Sequence, residues 1–187
     1  MFSKYSAILE VLMSFCEITP YQLENTMQMI GKDYMLITVE DRENNKTNAM
    51  TASWGFMGVL WNKNVCACFI RPQRYTYPLA EREERFALCF FGSDEKYRRA
   101  LGFCGRESGR DRDKLAECGL GTEKLDGVSV ISEAETVIIC KKLYADDLKK
   151  ECFIDREMLS HYPKDDFHRM YVCEMEKVYK NDKLKLK

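Results

Sequence analysis

The 187-residue sequence is poor in several things that would fix its chemistry at once. It has two histidines, His161 and His168, so a zinc site has few candidate ligands. Nine cysteines are present, an odd number, but no C-x-x-C occurs and Cys66-Ala67-Cys68 has no matching second pair. Most lie inside apolar runs. That pattern favours reduced, buried thiols in a reducing cytoplasm over a disulfide framework or a metal site. Neither sign of charge is in excess: 29 Lys and Arg against 30 Asp and Glu leave −1. A dedicated nucleic-acid binder would show a basic surplus, so none is expected, while a local basic pocket stays open. No apolar run reaches bilayer-spanning length. The start, MFSKYSAILEVLMSFCEITP, is mildly apolar but interrupted by Glu10. It lacks the basic region, clean apolar core and small-residue cleavage site of a signal peptide, so a cytoplasmic location and no membrane partner are expected. Also missing are G-x-S-x-G, a P-loop, H-E-x-x-H and any strand leading into G-x-G-x-x-G. If the protein is an enzyme, its chemistry is expected from a bound cofactor.

What is present reads as one globular domain, with 45% hydrophobic and 32% charged residues. Ile8, Leu9, Leu12, Met13 and Phe15 recur at near-helical spacing and predict a helix over 5–16, ended by Thr19-Pro20. Strands are expected at 34–39, 65–70, 86–91, 128–131, 134–144 and 168–179, with strand and bend over 48–61. Gly55 and Gly58 disfavour a helix there. Thr76 or Tyr77 is a candidate cap for a short helix with Pro78 in its first turn. Tyr97, Ala100, Leu101 and Cys104 mark an amphipathic helix over 94–104. Ser108 and Asp111 suggest a capped helix over 111–118. Residues 145–166 look charged and irregular. Many short strands with few helices between them give a mainly β fold, an antiparallel barrel with peripheral helices. The expected organisation is an N-terminal helical extension (1–20), a barrel domain (21–180) and a flexible tail (181–187).

Four stretches could carry chemistry. Arg71 and Arg74 flank Pro72-Gln73 after a buried strand, and Thr76 adds a hydroxyl. Two permanent cations on a stiffened loop suit a phosphate, though ordinary surface ion pairs fit as well. From Asn48 to Trp54, the small Ala49, Ala52 and Ser53 would let a flat ligand approach the backbone, or simply form a turn into a strand. Ser108 to Lys114 is either an anion site or a solvated helix start. His168 opens the last strand, where a lone histidine is more often structural. Cys104 is the best-placed candidate for a redox thiol, and a buried thiol fits it better.

Taken together, Asn48-Ala49-Met50-Thr51-Ala52-Ser53-Trp54-Gly55 and Arg71-Pro72-Gln73-Arg74-Tyr75-Thr76 resemble the flavin reductase-like family of FMN-binding split-barrel proteins, to which flavoredoxin is related. Phe103-Cys104, Ser108-Gly109-Arg110-Asp111, Asp113-Lys114 and His168-Arg169-Met170-Tyr171 resemble it too, so the likeness runs from about Tyr21 to Tyr179. Glu107, beside the glycine-serine turn, departs from it. The resemblance implies an FMN-binding split β-barrel, a homodimer with FMN held noncovalently near its interface. It implies hydride transfer from NADH or NADPH to the flavin, then electron release to free flavin, oxygen or a protein acceptor. Asn48, Thr51, Ala52, Ser53 and Trp54 would line the ring and ribityl chain. Arg71, Arg74 and Thr76 would lie near the phosphate. Ser108, Gly109 and Lys114 would form the far wall or an anion site, and His168 would approach the flavin. Three further readings stay open: an FMN carrier reduced by a protein partner, a flavin- or haem-binding barrel without turnover, and a structural dimeric barrel with no cofactor.

Overall fold

Tight antiparallel hairpins build the sheet. In the computed structural model, which describes residues 15–181, β2 (Met35–Asp41) and β3 (Lys46–Ala52) pair from Met35↔Ala52 to Asp41↔Lys46. β4 (Gly55–Leu60) and β5 (Lys63–Ile70) are joined by Trp61-Asn62, both at positive φ (53° and 57°). Two such residues make the turn whose twist matches that of its strands. Asp126-Gly127 does the same between β7 (Thr122–Leu125) and β8 (Val128–Ile131).

The main sheet runs β3-β2-β6-β9-β10-β5-β4, with β6 at Arg85–Phe90, β9 at Thr136–Asp147 and β10 at Arg169–Asn181. All of its pairings are antiparallel. Register shifts at Val172/Cys173 and Met175/Lys177 break the long β9–β10 ladder. Bulges of this kind bend a strand and raise its twist, which lets one sheet curl on itself. The curl stops short of closure. β3 and β4 stand at the two ends of the strand order, linked through Ser53-Trp54, with no ladder between them among the described residues. This is a split barrel.

Two cores share the central strands. Met35, Ile37, Val39, Phe86, Leu88, Ile138 and Tyr171 fill the barrel. On the other face, Leu36, Ala87, Cys89, Val137 and Ile139 pack under Leu101 and Cys104 of helix α3 (Glu95–Arg106) and under β8. β2, β6 and β9 are therefore buried on both sides, which explains their near-continuous apolar sequence. Thr38, the polar exception in β2, donates from its hydroxyl to the Ser129 carbonyl at 2.7 Å. Most cysteines behave as small core residues: Cys66, Cys68, Cys89, Cys104, Cys140 and Cys173 are buried thiols.

Several local expectations shift. The helix expected over 5–16 lies largely outside the described residues, and its last two members, Phe15 and Cys16, belong to β1 (Phe15–Ile18), paired with the end of β10. An available sheet edge overrides the helical spacing there. Of the helices, α1 (Thr26–Gln28) was not anticipated. Thr76 is the first residue of α2 (Thr76–Arg82) rather than its cap, because Tyr75 occupies that position. The helix expected over 111–118 shrinks to α4 (Lys114–Glu117), capped by Asp113, whose carboxylate accepts from the Ala116 amide at 3.2 Å. Ser108 instead caps its own turn, accepting from the Arg110 amide at 3.2 Å. β9 continues to Asp147, into the charged region expected to be irregular. Among the described residues no helix is long and apolar enough to cross a membrane.

Candidate functional site

Three segments meet at the exposed margin of β3: the loop from β5 into α2, the loop leaving α3, and the start of α4. They enclose a polar pocket of about 200 Å³, bordered by Met50, Arg74, Thr76, Ser108, Arg110 and Lys114. Its floor is tightly set. The buried Asn48 side chain donates from Nδ2 to Thr76 Oγ1 at 2.8 Å. Gly109 lies so close that a Cβ there would stand 2.1 Å from Asn48 Oδ1. Glycine is required at this point by contact with Asn48. Lys46 Nζ reaches across to the Gly109 carbonyl at 3.0 Å and ties the loop to β3.

Two cations give the pocket its character. Arg74 donates to the Gly105 carbonyl at 2.6 Å and to the Cys104 carbonyl at 3.3 Å. The buried Lys114 donates to the Ala49 carbonyl and, at 3.3 Å, to the Cys104 carbonyl. Neither has a carboxylate partner among the described residues. Burial pushes both down from their ordinary pKa values, and the charge of Arg74 adds to the lowering of Lys114. Backbone carbonyls supply dipoles rather than a counter-charge, and Glu107, which also borders the pocket, acts on Lys114 without forming an ion pair with it, so neither partly desolvated cation is directly paired. An anion placed between them would supply that charge. Cys104 lies in the same neighbourhood, but burial pushes its thiol up to about 12, which makes it a poor nucleophile at neutral pH.

Along β3 toward its far end, Thr51 donates to the Leu101 carbonyl at 2.6 Å and fastens the strand to α3. Ala52 is buried. Ser53 and Trp54 then leave the sheet. Trp54 is 40% exposed. On one side it borders a cleft of about 420 Å³ with Ser53, Ile30, Gly31 and Met57. On the other its ring meets His168 at 4.8 Å and His161 at 5.5 Å. Tyr162 and His168 Nδ1 share a 2.9 Å hydrogen bond. Burial, then the charge of Arg71, lower the His168 pKa to about 4, so the ring is neutral at pH 7. Arg71 belongs to this second group. It donates to Asp166 at 2.6 Å and to the His161 carbonyl at 2.9 Å, with its guanidinium 5.3 Å from the Tyr162 ring centre.

The candidate residues thus separate into two places along one strand. Asn48, Arg74, Thr76, Ser108, Gly109 and Lys114 gather at the basic pocket. Ser53, Trp54, Arg71 and His168 gather at the aromatic end, with Thr51 and Ala52 between. Sequence reasoning passed over Arg106 and Arg110, which also border the pocket, although both flank the glycine-serine turn and were visible there. Tyr162, His161 and Asp166 gave no local signal, because their region has neither period.

The curled, unclosed sheet with its pocket at the strand margin defines a split-barrel domain. Residues 27–186 match the family described as "Flavin reductase like domain", and the chain belongs to that family. Among solved structures, an FMN-binding domain of a flavin reductase-like enzyme from Shewanella baltica OS155 is similar at 12% identity and a TM-score of 0.64, covering 89% of this chain and 77% of that one. Flavoredoxin of Desulfovibrio vulgaris (Miyazaki F) is similar at 18% identity and 0.62, covering 89% and 78%. Nitrilotriacetate monooxygenase component B from Bacillus cereus is similar at 14% and 0.62, covering 90% and 83%. At these identities the likeness is one of fold. No curated protein matches the chain by sequence.

Proposed function

We propose that the protein is an FMN-dependent oxidoreductase that takes hydride from NADH or NADPH. The observation that carries this reading is the Arg74–Lys114 pair, two half-desolvated cations held by carbonyls alone beside a strand of small residues. The donor set fits a phosphate group. Arg74 and Lys114 would take its charge, and Thr76, whose hydroxyl accepts from Asn48, keeps its own proton to donate. Arg71 is committed to Asp166, so its role is to hold the 161–166 segment under Trp54. Ala52 and Ser53 leave the β3 margin uncluttered for a flat ring, with Trp54 as its neighbour and the neutral His168 behind.

FMN, when bound, would supply the hydride-accepting and electron-donating chemistry; the protein binds, orients and shields it. No acid or base is required of a side chain in the hydride step. We place a second copy of the chain against edge strand β4, where Phe56, Val59, Leu60 and Trp61 stand exposed. An exposed apolar edge is one that proteins normally cover.

The test is the visible spectrum of the purified protein with FMN, followed anaerobically as NADH or NADPH is added. A bound flavin that bleaches supports the reading, and the faster donor names the preference. A bound flavin that does not bleach replaces it with a carrier reduced by a protein. Failure to bind FMN removes the cofactor role of the basic pocket.

A further inference from the structure

Beside the basic pocket lies a larger groove of about 750 Å³ that the flavin reading leaves unused. It runs along α3, between that helix and α4, and Arg106 borders both spaces. Arg99, Gly102, Phe103 and Arg106 recur at i, i+3, i+4 and i+7, so one stripe of the helix faces it. Lys96 and Arg98 add two more cations. Of the two carboxylates present, Glu117 is committed to Arg112, leaving Glu95 at the start of the helix.

The arginines here differ from the rest of the molecule. Arg42, Arg71, Arg82, Arg85, Arg112 and Arg169 each pair with a carboxylate. Arg98, Arg99 and Arg106 are exposed and unpaired among the described residues. Through Arg106 they adjoin Arg74 and Arg110 of the pocket, and among the other described arginines only Arg156 lacks a carboxylate partner. Three of the six arginines without a carboxylate partner among the described residues thus line this one groove, and Arg106 carries it into the pocket that holds Arg74 and Arg110. Phe103 adds a partly exposed aromatic surface, with the Arg112 guanidinium 4.8 Å from its centre. Gly102 keeps the floor low: a Cβ there would meet only the end of the Arg106 side chain, at 3.5 Å.

Cations for phosphates, an aromatic ring for a base and continuity with a phosphate pocket describe one ligand class. We infer that the α3 groove binds the phosphorylated adenosine half of a dinucleotide, an inference that rests on the flavin-phosphate reading of the adjoining pocket. That half has two sources: FAD, continuing outward past Arg106 from the flavin phosphate, or the nicotinamide donor. Arg98 and Arg99 hold its phosphates.

The experiment compares the wild-type protein with the Arg98→Ala/Arg99→Ala double variant, both exposed positions outside the core. Calorimetric titrations use ADP, FMN and FAD, and steady-state assays use NADH and NADPH. ADP should bind the wild type and bind the variant at least tenfold more weakly, with FMN affinity unchanged. A parallel tenfold loss for FAD assigns the groove to the flavin dinucleotide. A tenfold rise in KM for the nicotinamide donor, with kcat and FAD affinity unchanged, assigns it to that donor. Wild-type protein that binds FMN but not ADP, or a variant that binds ADP unaltered, overturns the inference and spares the cofactor reading. Protein that binds ADP but not FMN overturns the cofactor reading and spares the groove.

Discussion

Lys114 shows how burial turns an ordinary residue type into a candidate ligand. On a surface its ammonium would be hydrated; here it is buried with only the Ala49 and Cys104 carbonyls for partners. A charge-assisted hydrogen bond contributes about 1.5–3 kcal/mol. Lys114→Met should therefore weaken FMN binding by roughly ten- to a hundredfold, read by titration of flavin fluorescence. Unchanged affinity would remove Lys114 from the site. His168 gives a second test at this scale. Its folded pKa, about 4, lies below the ordinary 6.5. The unfolded chain therefore binds the extra proton first, and stability is full above the unfolded value and declines as pH falls toward the folded one. The decline should amount to about 1.5 kcal/mol between pH 6.5 and 5. Urea unfolding at the two pH values measures it, and His168→Gln should abolish most of the difference. From residue type alone the Asn48–Trp54 and Arg71–Thr76 segments were open between a site and ordinary turns, and their joint pattern pointed to the family. Which of Arg71 and Arg74 faces the pocket was not, since that depends on Asp166, about a hundred residues away in sequence, having come to rest beside Arg71.

At the scale of elements, the site depends on close approach between a strand and a loop. Gly109 belongs to the loop after α3, and its Cα faces the Asn48 side chain of β3. Gly109→Ala must displace Asn48 and break its bond to Thr76, leaving buried polar groups unpaired. The expected cost is about 1–3 kcal/mol, seen as a lower urea midpoint, together with weaker FMN binding. A variant as stable as the wild type, with Asn48 unmoved, would show that the loop yields instead. The strands with strong β-branched or aromatic runs were readable, and so was α3 from its apolar spacing. β1 and β7 were not. β7, TEKL, carries a weak pattern and exists because Asp126-Gly127 folds it back on the buried β8. The four-residue α4 is too short for periodicity to reveal, and Asp113 rather than Ser108 begins it.

For the whole molecule, the exposed edge of the sheet sets the expected assembly. Strand β4 ends the sheet order and presents Phe56, Val59 and Trp61 outward. Sedimentation equilibrium should give twice the chain mass. Val59→Lys combined with Trp61→Glu should yield a monomer that keeps its β-sheet circular dichroism. A monomeric wild type would sink the second-copy assignment and leave β4 as a surface for some other partner.

What the sequence determined by itself follows from local rules. Alternation and apolar runs specify strands, and the joint N-A-M-T-A-S-W and R-P-Q-R-Y-T segments specify the family. These depend on neighbours a few positions apart. Tertiary structure decided the rest: that β3 and β4 end the sheet without closing it, that Arg71 serves an aromatic cluster while Arg74 and Lys114 share a pocket, and that the unpaired arginines of α3 continue it. Each of these is set by contacts between residues far apart in the chain. Charge compensation and burial are properties of such contacts, and no local pattern encodes them.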